Sequence, residues 1–451
     1  MDDVVFAGAK GAGLAIASIF GPPRDSRTWS AAPASVAEGL EHLGFRIVGI
    51  DASVPRAAYV AGGLSHVLSG YGRIRYSEAI ARGPLLRRFR AAKVAAALRR
   101  HGLTRVLHMG TLDLPPTGAA DDVRHYLYCD STWNLSLQHR TDASLYTPQA
   151  RAAFDRLERM SLAACEHIFT FGQYVRDDII THYGIPAERV TSVGSGCGET
   201  APYLGVKNYT SGELLFVAKH LFREKGGDLL LDAFRLALRQ RPDLRLTIVG
   251  GAEGRARRIL PPNVTVMSFV TRETLTCLLR GAAILVQPML NDPWGQIYLE
   301  ALLARTPVVG LDRNGLREIV SDGRHGFLVG EATPETLSRA ILDAVSDPLR
   351  LAAMGELGQD YVVRNHSWAR VAAHMAVVLE PVGIGRAPLH QSRVEVPGVV
   401  AVPAPAEAPV AEGADLPMDG SGGTIPIDTT APAGAAVANL VPNLSDEEKR
   451  A

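Results

Sequence analysis

A chain of 451 residues exceeds one ordinary hydrophobic core and implies about two to three folding units. Its 47 basic and 47 acidic residues cancel, which removes the electrostatic case for nucleic acid or a strongly charged partner. The four cysteines (Cys129, Cys165, Cys197 and Cys277) are scattered, with no CxxC pair and no histidine at metal-ligand spacing. That excludes a disulfide framework or zinc site and implies reduced thiols. No apolar run is long enough to span a bilayer, and Asp2, Asp3 and Lys10 disfavour a signal peptide. A cytoplasmic protein is the expectation.

In chain order, residues 1–13 read as a flexible leader. Their Gly8-Ala9-Lys10-Gly11-Ala12-Gly13 is not a phosphate loop, because Lys10 is misplaced and no Ser or Thr follows it. Strands are expected at 14–20 and 45–50, around a helix at 34–43 that Gly44 ends. A helix at 84–101 carries Arg87, Arg88, Arg90, Lys93, Arg99 and Arg100 among apolar residues. Strands at 105–109, 126–130, 167–171 and 190–193, with a strongly patterned helix at 148–164, complete the first series.

After a polar linker at 202–212, a second series begins with an apolar strand at 214–218 and a helix at 227–240. Strands follow at 244–249, 264–267, 283–287, 307–311 and 326–329. The alternation predicts an α/β protein with two doubly wound, Rossmann-like domains, 14–201 and 213–366. Each has a ligand crevice at the carboxyl ends of its strands. Residues 385–451 hold nine prolines and no aromatic residue, and read as a disordered tail, a candidate docking segment for a protein partner.

Chemistry concentrates at 291–300. Asp292 and Glu300 stand eight positions apart with Gly295 between them, directly after an apolar strand. Backbone N–H groups of Gly295, Gln296 and Ile297 at a helix start suit an anion, and Glu300 suits hydroxyl donors, which together suggest a ligand with phosphate and sugar. Lys219 follows the strand at 214–218, and Lys225 precedes Gly226-Gly227 at the next helix start. They suit a diphosphate, or are solvated loop charges.

A basic residue, five positions, then Lys-Gly, followed by an acid, seven positions and Glu, resembles the retaining family 4 glycosyltransferases. Lys219 stands where that family often has Arg, Lys225 matches its Lys, and Asp292 replaces the first of its paired glutamates, Glu300 matching the second. Trp294-Gly295 resembles the family's Phe-Gly. Pro307-Val308-Val309, Asn314 to Val320, Asp322 to Val329 and His366-Ser367-Trp368 extend the resemblance over about 214–380.

The resemblance implies the GT-B fold, two domains facing across a cleft, with a helix at 367–384 crossing back to the first. It also implies transfer of a sugar from a nucleotide diphosphate sugar to an acceptor hydroxyl with retention of configuration, using no cofactor and no metal. Lys219, Lys225, Asp292 and Glu300 would be its catalytic set. The acceptor would be a carbohydrate, a lipid-linked sugar or a small molecule.

In the first half, Arg24 to Pro33 resembles the family's opening Trp-Ser-Gly-x-Pro loop with Ala31 replacing Gly, so Thr28, Trp29 and Ser30 are acceptor candidates. Asp130 is either a further acceptor contact or a helix N-cap. His108 reads as a core histidine rather than a base. Gly196, within Gly194 to Gly198, either meets the donor phosphate or serves as a hinge. Helix 84–101 either rests on an anionic membrane at the inner face or is an ordinary surface helix, the second reading being favoured. The rival functions are a catalytically silent binding subunit and a nucleotide-sugar epimerase.

Overall fold

The computed structural model describes residues 13–71, 77–114, 122–138, 146–198, 200–219, 221–251, 260–261, 263–291 and 293–379. Leader residues 1–12, Asp292 and the tail 385–451 therefore lie outside the described residues. Gly13, placed with the leader by sequence, opens the first strand.

The first sheet holds six parallel strands: β1 (Gly13–Ser18), β2 (Arg46–Asp51), β3 (Arg105–Met109), β4 (Arg124–Cys129), β5 (His167–Thr170) and β6 (Val190–Ser192). Their spatial order is β2-β1-β3-β4-β5-β6. Near-continuous apolar runs explain the strands, since a sheet covered on both faces needs no alternation. Leu14, Ala15, Ile16 and Ala17 are all completely buried. Around this sheet lie α1 (Ala32–His42), α2 (Arg56–Leu68), α3 (Ser77–Arg82), α4 (Pro84–His101), α5 (Trp133–Gln138), α6 (Pro148–Ala164) and α7 (Gln173–Thr181).

The second sheet is β7 (Glu213–Lys219), β8 (Arg245–Gly250), β9 (Val264–Met267), β10 (Ile284–Val286), β11 (Val308–Leu311) and β12 (Gly326–Val329). Its order, β12-β11-β10-β7-β8-β9, places the reversal of winding between β7 and β10. That is where open α/β sheets hold ligands. Its helices are α8 (Gly227–Leu238), α9 (Arg272–Gly281), α10 (Gln296–Leu303), α11 (Leu316–Ile319), α12 (Pro334–Ser346) and α13 (Pro348–Asn365). Then α14 (Trp368–Leu379) leaves the second half and lies along α1, where Gly39 packs so tightly that an added Cβ would sit 2.6 Å from the Ala372 Cβ.

The halves also meet in a polar and aromatic seam. Glu318 accepts the backbone N–H groups of Gln173 and Tyr174 at 2.7 and 2.8 Å, placing a carboxylate of the second half on the N-terminus of α7 in the first. Opposite charge at that helix end is favourable. The Tyr174 hydroxyl lies 3.0 Å from the Asp130 carbonyl and 2.5 Å from that of Pro293. Trp294 donates to Ser195 Oγ at 2.6 Å and meets Phe171 edge-on at 5.9 Å.

One expectation changes and another holds. Helix α4 has its expected bounds, but Arg87 and Arg90 are buried rather than part of a solvated basic face. Arg87 donates to the Thr111 carbonyl and Ser161 Oγ, both at 3.1 Å, and Arg90 to the Ala81 carbonyl at 2.7 Å. His108 is completely buried, with Nδ1 3.1 Å from Asp113 Oδ2 and Nε2 3.0 Å from His125 Nδ1, consistent with the core reading.

Candidate active site

A cleft of about 840 Å³ opens between the two sheets at their reversal points. Its floor takes in the ends of β7 (Val217, Lys219) and β8 (Val249, Gly250). At the end of β7 the pairing with β8 slips between Val217 and Lys219, and Lys219 adopts φ +51°. A bulge with a non-glycine residue in the left-handed region is strained backbone, held here by its surroundings. Next to it, the Gln287 side chain replaces main-chain pairing. Its Oε1 accepts the Val217 N–H at 2.9 Å and its Nε2 donates to the Val217 carbonyl at 3.0 Å. The crevice therefore begins where a side-chain amide bridges β7 to the chain leaving β10.

Two loops far apart in sequence become one unit here. The Leu290 and Asn291 N–H groups donate to the Glu224 carbonyl at 2.8 and 3.0 Å. Gly226, at φ +83°, caps α8 against the Pro288 carbonyl, 2.1 Å from where a Cβ would stand. Lys225 is buried and lines the cleft, whereas Lys219 is exposed to it. Gly295, at φ +79°, starts α10, and Gly295, Gln296, Ile297 and Glu300 all line the same floor.

Glu300 feels opposing influences. Desolvation raises its pKa, while Lys219, then Arg272, then Lys225 pull it back down. Burial prevails, so its carboxyl titrates above the ordinary carboxylate range. Three cations around one acid leave the cleft positively biased and suited to a polyanion.

From the first half, Trp29, Ser30 and Asp130 line the cleft. Trp29, Ser30 and Ala31 have φ of +44°, +54° and +65°, three consecutive non-glycine residues in the left-handed region. Such a turn is unfavourable by about 1–2 kcal/mol per residue. Aromatic packing holds it, with Trp29 against Phe20 at 5.9 Å and Phe171 at 5.4 Å.

Other candidates fall differently. Thr28 is buried, and its hydroxyl donates to the Pro22 carbonyl at 2.9 Å. Gly196 is absent from the cleft lining. Its carbonyl accepts from Gln296 Nε2 at 3.0 Å, and an added Cβ would sit 2.4 Å from the Trp368 ring. The Gln296 side chain is thus turned to the Gly196 loop, leaving its backbone N–H at the start of α10. Asp292 lies outside the described residues.

The sequence reading missed Arg272. It follows Thr271, which caps α9 by accepting the Thr274 N–H at 3.2 Å, and it lines the cleft with Phe269, Val270 and Leu275. The Thr-x-x-Thr helix start after β9 is a legible signal for the helix, but not for the side of the sheet that its first residue faces.

Two Rossmann-like domains with a ligand cleft at their facing reversal points define the GT-B glycosyltransferase fold. Sucrose-phosphate synthase from Thermosynechococcus elongatus superposes with a TM-score of 0.61 at 16% identity, over 81% of this chain and 98% of that one. Anabaena Alr3699/HepE, solved in complex with UDP and glucose, gives 0.53 at 14% identity, over 81% and 98%. Residues 206–361, within the second half, match the glycosyl transferases group 1 profile. Alpha-maltose-1-phosphate synthase of Mycolicibacterium smegmatis is 28% identical over 250 residues, 48% of this chain and 63% of that protein. The chain spans less than two thirds of the length of the first curated relatives it matches.

Proposed function

We propose that this chain is a glycosyltransferase that moves a hexose from a nucleotide diphosphate sugar to an acceptor hydroxyl with retention of configuration. The observation that carries the reading is the set of three cations, Lys219, Lys225 and Arg272, around Glu300 at the β7/β10 crevice. In this reading Glu300 accepts hydrogen bonds from the ribose hydroxyls. The N–H groups at the start of α10 and the three cations receive the diphosphate. Asp292 touches hydroxyls of the donor sugar.

During transfer the bond from the anomeric carbon to the diphosphate oxygen breaks and a bond to the acceptor oxygen forms on the same face. The acceptor proton passes to the departing diphosphate. Charge grows on that leaving group, so fixed ammonium and guanidinium groups lower the barrier by more than they aid ground-state binding. The acceptor enters past Trp29, Ser30 and Asp130, and closure of the two halves excludes water.

Calorimetry with UDP-, GDP- and ADP-sugars tests the reading. Binding of one donor that is lost in Lys225→Ala supports it. Absence of binding to every donor favours a silent subunit, and transfer by Lys225→Ala at the wild-type rate overturns the mechanism.

A further inference from the structure

Helix α2 is turned inside out. Its buried positions are Gly62, Gly63 and His66, and Gly62 lies so close to Ile80 and Leu86 that a Cβ would meet both at about 3 Å. After Arg56 at its first position, its exposed residues are Ala57, Val60, Ala61, Leu64, Val67 and Leu68, all of them apolar. Val60 is 75% exposed, Leu64 63% and Leu68 78%. Single exposed apolar residues are ordinary, but an unbroken stripe along a helix is not.

The neighbouring α4 continues the theme. Leu85 and Phe89 are exposed, so six of the fifteen exposed large apolar side chains among the described residues stand on these two helices. Neither helix contains an acidic residue, while Arg56, Arg88, Lys93, Arg99 and Arg100 are exposed. Apolar side chains among cations alone form a charge-complementary match to an anionic lipid surface. A second copy of this chain fits less well, since self-association through the same face would bring like charges together.

We propose that α2, flanked by α4, docks the protein on an anionic phospholipid bilayer. Val60, Leu64, Val67 and Leu68 enter the boundary of the acyl chains, while Arg56 and Arg88 meet lipid phosphates. This moves the contact from α4 alone, two of whose arginines serve the interior, and it stands independently of the catalytic reading.

Flotation of the full chain with vesicles of phosphatidylglycerol or of phosphatidylcholine tests the docking. Binding to the anionic vesicles is expected. The pair Leu64→Ser and Leu68→Ser should lower the partition coefficient about tenfold or more. The pair Arg56→Ser and Arg88→Ser should lower it about tenfold or more on anionic vesicles and flatten its salt dependence. Because these positions are exposed, unchanged circular dichroism is expected, and Val60→Ser is a second probe. No flotation with anionic vesicles, or leucine variants that float like wild type, overturns the proposal. So does a wild-type dimer that the leucine pair converts to monomer.

Discussion

Replacing Glu300 by Gln separates what the acid does for the fold from what it does for the ligand. In the folded protein burial raises the pKa of Glu300 despite Lys219, Arg272 and Lys225. The native state therefore holds its proton to higher pH than the unfolded chain does. Stability from this group is fully present below the unfolded carboxyl pKa and is lost as pH rises through the folded one. At neutral pH the carboxylate is a cost, so Glu300→Gln should melt no lower than wild type, and the difference should vanish in acid. Ligand binding should move the other way. A carboxylate accepting two ribose hydroxyls makes charge-assisted bonds of about 1.5–3 kcal/mol each, and an amide oxygen makes neutral ones of about 0.5–1.5. The loss is about 2–3 kcal/mol, or roughly thirty- to more than a hundredfold in Kd. Thermal melts from pH 4 to 8 and calorimetry with UDP, GDP and ADP provide both readouts. A variant that binds the preferred nucleotide within threefold of wild type refutes the assigned role of Glu300.

Three further outcomes are expected. Lys225→Ala should lower kcat by about a hundredfold or more, since it removes a fixed charge from the leaving group, and steady-state kinetics with the identified donor check it. Gly226→Ala should cost about 3 kcal/mol or more, because a Cβ would stand 2.1 Å from the Pro288 carbonyl at φ +83°, and urea unfolding measures it. Arg87→Met should destabilise by about 3–5 kcal/mol, as it leaves the Ser161 and Thr111 oxygens without their donor and nearby Glu158 without its compensating charge, again read by urea unfolding.

The strands were the most legible elements because a sheet buried on both faces must be apolar without interruption. Residues 105–109 and 326–329 have the expected bounds, and helix 148–164 was legible from its strong apolar pattern. Helix α2 was not legible, because its buried face is a glycine pair and its apolar residues face outward, so its periodicity points the wrong way. The buried arginines of α4 were invisible for a related reason. Guanidinium groups read as solvent-facing unless their carbonyl partners, here from residues 81 and 111, can be located in space. Within the site, spacing located Lys219, Lys225 and Glu300, because a strand end followed by a helix start confines a side chain to one edge of the sheet. It could not locate Arg272, whose orientation depends on how α9 leans on the crevice. Nor could it show that Thr28 turns to Pro22 and Gly196 to Trp368, since neighbours in a loop alternate direction without a period.

What unites the site is the way β7 and β10 separate. The Gln287 amide bonds to both main-chain groups of Val217, and the pairing of β7 with β8 slips before Lys219. The two chains diverge there, one into the lysine loop and the other into the acidic loop. The Glu224 carbonyl then binds the two loops through Leu290 and Asn291, and Gly226 lets them touch at Pro288. A substitution that separates these loops should weaken every ligand contact together, even when it touches no ligand itself. The first half enters this arrangement through a strained left-handed turn at Trp29–Ala31, closed by the Ala32 N–H on the Trp29 carbonyl and packed by aromatic rings. Under the proposed function, exchange of side chains in that turn should alter acceptor preference, while Gly226, whose added Cβ would stand 2.1 Å from the Pro288 carbonyl, should tolerate no substitution.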